Sequence, residues 1–195
     1  MKLLKLSLLI AFAFISGNIH AQDTYNISKG YSVIINGTSN LHDWNETVDT
    51  VRGVSTVSWN SDGTFNLDAI NIKMDVHSIK SDMGGAMNNN TYKALKAETY
   101  PVITFTLSEP VNSIKTDETA TTVSAKGNMT IAGVTKPIIM QVKVFMPRKG
   151  TMEFAGSQII KMTDYNVKPP TALFGALKTG DDITITFKTD FSLAN

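Results

Sequence analysis

Residues 64–76 read TFNLDAINIKMDV. Phe65 and Leu67 alternate with polar neighbours, and then the apolar set jumps parity to Ile70, Ile72, Met74 and Val76. Side chains on a strand point to opposite faces with period two, so one strand keeps both sets inward only if a residue is looped out. The switch predicts a bulge or sharp bend near Asp68 and Ala69. Strongly coiled sheets are built on such bends.

The same alternation extends through most of the chain. YSVII places Tyr31, Val33 and Ile35 on one side, and VRGVSTVSW places Val51, Val57 and Trp59 in phase around small Gly53 and Ser55. Further on, the in-phase sets are Ile103, Phe105 and Leu107, then Val123, Ala125, Met129 and Ile131, then Ile138, Met140, Val142, Val144 and Met146. Met152, Phe154, Ile160 and Met162 follow, and Ile183, Ile185, Phe187 and Phe191 close the series. Turn-forming clusters such as NSDG, AGVTKP, PRKG and TGDD separate them. The spacing predicts roughly eight antiparallel strands in a barrel or sandwich.

Two segments break the rhythm. MNNNTYKALKAETYP offers Thr91 as an N-cap, Tyr92, Leu95 and Lys96 at helical spacing and Pro101 as a stop, which predicts a short helix. VKPPTALFGALKTG, with paired prolines ahead of Leu173 and Phe174, predicts a turn, one helical turn and a glycine exit.

The chain opens on MKLLKLSLLIAFAFISGNIHAQ, with Lys2 and Lys5 ahead of an apolar run that is too short to cross a bilayer. That order predicts a signal peptide over residues 1–21 and a single exported domain over 22–195, with no integral membrane span in the mature protein. There is no cysteine, so disulfides and lipid-modified cysteines are excluded. Lys and Arg number 18 against 17 Asp and Glu, which leaves no electrostatic footprint for nucleic acid.

GTSNLHDW, residues 37–44, is the most chemically loaded stretch. His42 and Asp43 are adjacent, so on a strand they face opposite ways and cannot easily share a metal or a proton relay. His77, the other histidine beyond the leader, falls in an outward phase. With no cysteine the ligand supply for zinc is thin, and no metal is expected. Ser39, Asn40 or Asp43 is expected to fix the turn backbone while Trp44 packs it down. No G-x-S-x-G, phosphate-cradling loop or carboxylate pair stands out. No catalytic residue is expected.

Several motifs occur together in one order: GTSNLHDW, MNNNTYKALKAETYPVITF, GNMTIAGVTKPI, KMTDYNVKPP and GDDITITF. This arrangement, over residues 25 to 193, resembles the YceI family of exported, lipocalin-like proteins. The resemblance implies an all-β fold, an extended eight-stranded antiparallel barrel around a long apolar tunnel. It also implies a polyisoprenoid ligand, such as a quinone tail or a polyprenol derivative, and favours the periplasm. The in-phase residues expected to line the tunnel are Tyr31, Val33, Trp59, Ile72, Met74, Phe105, Met129, Met140, Val142, Phe154, Ile183, Ile185 and Phe187. His42, Trp44, Leu95, Leu173 and Phe174 are expected at the tunnel ends or mouth, with His42 the candidate for a polar head group.

Nine methionines occur, six of them in apolar phases, and methionine adapts to a flexible guest as readily as it fills a core. Periodicity alone leaves a hollow and a filled barrel both open. The expected function is a non-enzymatic barrel that carries or sequesters a long apolar lipid and requires no cofactor. Its rivals are an interaction module with a packed core and a lipid head-group enzyme using His42. Homodimer formation through an edge stays open.

Overall fold

The parity switch is a β-bulge. Along the hairpin of Val51–Trp59 with Phe65–Asp75, Thr56 lies opposite Ala69 and Val57 opposite Leu67, so Asp68 is the extra residue. The unpaired residue lets Leu67 and Ile70 both turn inward, where each is buried.

This computed structural model describes residues 22–117 and 119–194, except the side chains at 172 and 173. The predicted leader lies outside the described residues. In chain order the strands are β1 (Gln22–Ile27), β2 (Ser32–Ser39), β3 (Trp44–Val48), β4 (Val51–Trp59), β5 (Phe65–Asp75) and β6 (Ile79–Lys80). They continue with β7 (Val102–Leu107), β8 (Val111–Ile114), β9 (Thr121–Ile131), β10 (Val134–Arg148), β11 (Thr151–Lys161), β12 (Thr171–Ala172) and β13 (Leu177–Leu193). One α-helix, α1 (Gly85–Leu95), occurs among the described residues. No helix among them is long and apolar enough to cross a membrane.

Eight of the strands close a barrel in the order β1-β4-β5-β7-β9-β10-β11-β13, with β13 returning to β1. All the pairings along this circuit are antiparallel. The 17-residue β13 serves two neighbours on one side. Its Phe191–Leu193 end pairs with β1, while Thr179–Lys188 pairs with β2. Beyond β2, the wall continues through β3 to β6, against which α1 rests.

The two ends differ. Near β1, Tyr25, Phe65, Ile114, Met146, Met152 and Phe191 are fully buried and plug the barrel. Phe191 meets Phe154 edge-on at 5.3 Å, a favourable aromatic geometry. The β2–β3 end is covered instead by α1 and the segment before β13.

The helix departs from expectation. It starts after Gly84, whose φ of 90° leads the chain in, and Thr91 lies inside it, not at its cap. The Thr91 hydroxyl is committed elsewhere, donating to Glu46 Oε1 at 2.6 Å. Lys96 then takes a left-handed conformation and ends the helix well short of Pro101. The second irregular segment departs from the expected helical turn: Leu173–Gly175 bend tightly, but Phe174 is left-handed at φ 56°, so no regular helical turn forms before Gly175.

Candidate functional site

The barrel is hollow along much of its length. A first cavity of about 90 Å3 runs between β2, β4, β5, β7, β9, β10, β11 and β13. Its wall is almost wholly apolar, with Gln158 and Thr189 the polar side chains. Val33, Ile72, Met74, Phe105, Met129, Met140, Val142, Phe154 and Phe187 all line it.

Two of its aromatic rings pack over glycines of the neighbouring strand. A Cβ on Gly127 would collide with the Phe105 ring, and one on Gly156 would stand 2.8 Å from Phe187 Cζ. Each ring therefore occupies the space that a side chain at the glycine would take, the pairing aromatic residues make with sheet glycines. Phe187 and Gly156 are register partners.

A second cavity of about 130 Å3 adjoins the first at Ile185, which lines both. Here Ile183, Trp44 and Leu95 form the wall with Ile35, Ile103, Ile131, Ile160, Met162 and Val167. Its polar residues include Glu46, Asn90, Thr91 and Tyr165. Glu46 is only 2% exposed, and burial holds its carboxyl above the usual carboxylate range, partly offset by the Thr91 hydrogen bond. Burial likewise pushes up the Tyr165 phenol, which stays protonated, with Asp164 adding to the shift.

Tyr31 and Trp59 lie outside both cavities. Tyr31 stands ahead of β2, where its hydroxyl donates to Asp49 O at 2.7 Å and accepts from Val51 N at 3.1 Å. Trp59 ends β4 at the plugged end. Its indole packs on Phe65 at 5.8 Å and donates to Asp23 Oδ2 at 2.7 Å. Position at a strand terminus, not parity, decides both.

GTSNLHDW builds the rim. Ser39 Oγ accepts from the backbone N–H of Leu41 and His42 and donates to His42 O at 2.7 Å. Asn40 bridges to the entry of β13, donating to Ala176 O at 2.8 Å and accepting from Lys178 N at 2.8 Å. The Trp44 indole covers Gly37, where no Cβ fits, and donates to Thr38 O at 3.1 Å.

His42 is exposed and lines neither cavity; its Nδ1 meets Asp43 O at 2.8 Å. Phe174, also placed at the mouth from sequence, projects fully into solvent from a left-handed backbone position. The Leu173 side chain lies outside the described residues. His77 is exposed near Glu98, and no cluster of three metal-ligating side chains occurs among the described residues.

Glu46 was not anticipated. Its signal was present: Trp44, Glu46 and Val48 share one parity, placing a carboxyl on the inward face of a short strand.

Solved structures share this architecture. A polyisoprenoid-binding domain from Saccharophagus degradans aligns with a TM-score of 0.67 at 13% identity, covering 87% of this chain and 98% of that one. BcnA of Burkholderia cenocepacia gives 0.60 at 20% identity over 82% and 95% of the two chains. The Campylobacter jejuni YceI protein gives 0.57 at 18% identity over 77% and 84%. At these identities the likeness establishes the fold. Among the curated proteins, none matches this sequence. The family model of the YceI-like domain matches residues 25–191, and the chain belongs to that family.

Proposed function

We propose that this protein is an exported, non-catalytic carrier that holds a long apolar lipid of the polyisoprenoid type in its lumen. The observation that carries the reading is the pair of adjoining apolar cavities running down the barrel. A packed interaction module would have filled this space with side chains. A flexible hydrocarbon gains roughly 0.8 kcal/mol per buried methylene, so part of a prenyl tail suffices for tight binding. The lining methionines, Met74, Met129, Met140 and Met162, adjust to such a guest.

The polyisoprenoid-binding domain of the same fold supports the ligand class. The charge and hydrophobic order of residues 1–21 supports export, and the family resemblance favours the periplasm as the site of action. His42 faces solvent outside the cavities, which favours the carrier over a head-group enzyme built on that residue.

Native mass spectrometry of mature protein expressed to the periplasm, followed by solvent extraction, tests the proposal. A bound species with prenyl-unit mass spacing is expected. A mass that stays unliganded after incubation with quinones and polyprenols would overturn it.

A further inference from the structure

Both ends of the lumen are obstructed. Buried side chains around Phe191 plug one, and α1 with the segment before β13 covers the other, tied to the rim by the Asn40 hydrogen bonds. The wall between them has a weak line. β10 and β11 pair from Arg148 and Thr151 only as far as Val142 and Gly156, yet both strands run on. Val134–Gln141 keeps β9 as its neighbour and Ser157–Lys161 keeps β13, but no ladder pairing joins these two stretches among the described residues.

The side chains along this line suit a passage. Ile139 and Ile159 come level with each other when the register of the paired stretch is continued, and they are 60% and 65% exposed. On the inner side, Met140 and Gln158 line the first cavity and Ile160 the second. Ile185, the register partner of Gln158, borders both cavities, so the ladder ends close to where they meet. The Gln158 amide donates to Ile159 O at 2.9 Å. A side chain thus serves a backbone carbonyl on the stretch that β10 leaves unpaired, one way in which an open strand edge is managed.

We propose that β10 and β11 part along this line, and that the lipid chain enters and leaves the lumen sideways between Ile139 and Ile159. This deepens the carrier reading and rests on it. Parting here breaks no ladder pairing, because each edge stays bonded to its other neighbour. Segments with few backbone bonds to lose are those that open locally at least cost. A hydrocarbon on this route meets isoleucine outside and methionine and isoleucine inside, so its apolar surface stays largely out of water as it crosses.

The chain has no cysteine, so two introduced thiols can be joined selectively. Ile139→Cys/Ile159→Cys is closed with a short bifunctional maleimide. Lys143→Cys/Ala155→Cys, on register partners inside the paired stretch, is the control. Loading of squalene, an all-prenyl hydrocarbon, from phosphatidylcholine vesicles is followed by mass spectrometry. The link between 139 and 159 should slow loading and release alike by about tenfold, as a blocked gate does, and leave occupancy at equilibrium unchanged. The control link should leave the rates at wild-type values. Ile139→Glu/Ile159→Glu needs no linker: both side chains are exposed, so the fold tolerates the change, and charge in the path should slow loading severalfold.

Wild-type loading rates in either the linked protein or the glutamate variant overturn the side route and leave the carrier reading standing. Equal slowing by the control link also overturns it, because stiffening of the wall at any level is then enough. Absence of squalene from the unmodified protein at equilibrium overturns the carrier reading itself.

Discussion

The ring of Phe187 lies across Gly156, its register partner on the adjacent strand, and this contact holds the lumen open. A Cβ at position 156 would stand 2.8 Å from Phe187 Cζ and 3.1 Å from Gln141 O, so ring and side chain cannot share the site. Gly156→Val is expected to turn the ring into the first cavity. The fold should lose about 1–3 kcal/mol, the usual range for overpacking. Prenyl-chain binding should fall with it. Urea unfolding and lipid titration measure both, and wild-type values in each would show that the ring does not set the bore.

The buried Glu46 makes stability depend on pH in a defined direction. Its ordinary value is 4.5, and burial raises it in the folded state. The folded protein thus holds this proton more tightly than the unfolded chain. The associated stabilisation is full below pH 4.5 and is lost as pH rises through the elevated value.

Thr91 of α1 bonds Glu46, and the other polar residues that α1 and the turn after β11 bring to that cavity are Asn90 and Tyr165, none of them charged at neutral pH. Glu46→Gln retains the acceptor for Thr91 and removes the proton. The variant should gain stability relative to wild type across that window, with a slope of up to about 1.4 kcal/mol per pH unit. Urea midpoints from pH 4 to pH 8 would show it, and parallel wild-type and variant curves would contradict it.

The rim depends on Asn40 rather than His42. Asn40 ties the β2–β3 turn to the strand entering β13 through two side-chain hydrogen bonds, whereas His42 is exposed. His42→Ala should leave lipid affinity within about twofold, as expected of a surface change. Asn40→Ala should cost about 1–2 kcal/mol and speed ligand release by loosening the mouth. A large loss of binding on replacing His42 would return that residue to the site.

The barrel was readable because parity survives in every long strand, and even the Asp68 bulge showed as a jump between Leu67 and Ile70. Most of the cavity wall was readable for the same reason. Parity fails where a residue stands at a strand end: Tyr31 and Trp59 continue an inward phase, but hydrogen bonds to Asp49 and Asp23 hold them elsewhere. It also says nothing of space. Whether inward side chains meet or leave a lumen depends on rings lying over Gly127 and Gly156, contacts between strands that no single strand's pattern records. Glu46 escaped notice because a carboxyl in a five-residue strand reads as solvent-facing until its partner Thr91, from α1, is known.

Met152 and Met140 are the same residue type, both buried in the barrel, at 2% and 6% exposure. Met152 belongs to the plug beside Phe191, its neighbour across β11 and β13, whereas Met140 borders the first cavity. A side chain facing empty space lacks contact partners on one side, so its removal forfeits less dispersion energy. Truncation of a buried methionine to alanine costs about 2–5 kcal/mol, depending on the void left behind. In ligand-free protein, Met152→Ala should fall near the upper end of that range and Met140→Ala near the lower. Lipid loading should widen the cost at Met140 alone, because the guest supplies the missing contacts and the variant forfeits them. Equal costs in the empty protein, or a lipid effect at Met152 of the same size, would mean that the lumen is packed and the division between plug and cavity is wrong.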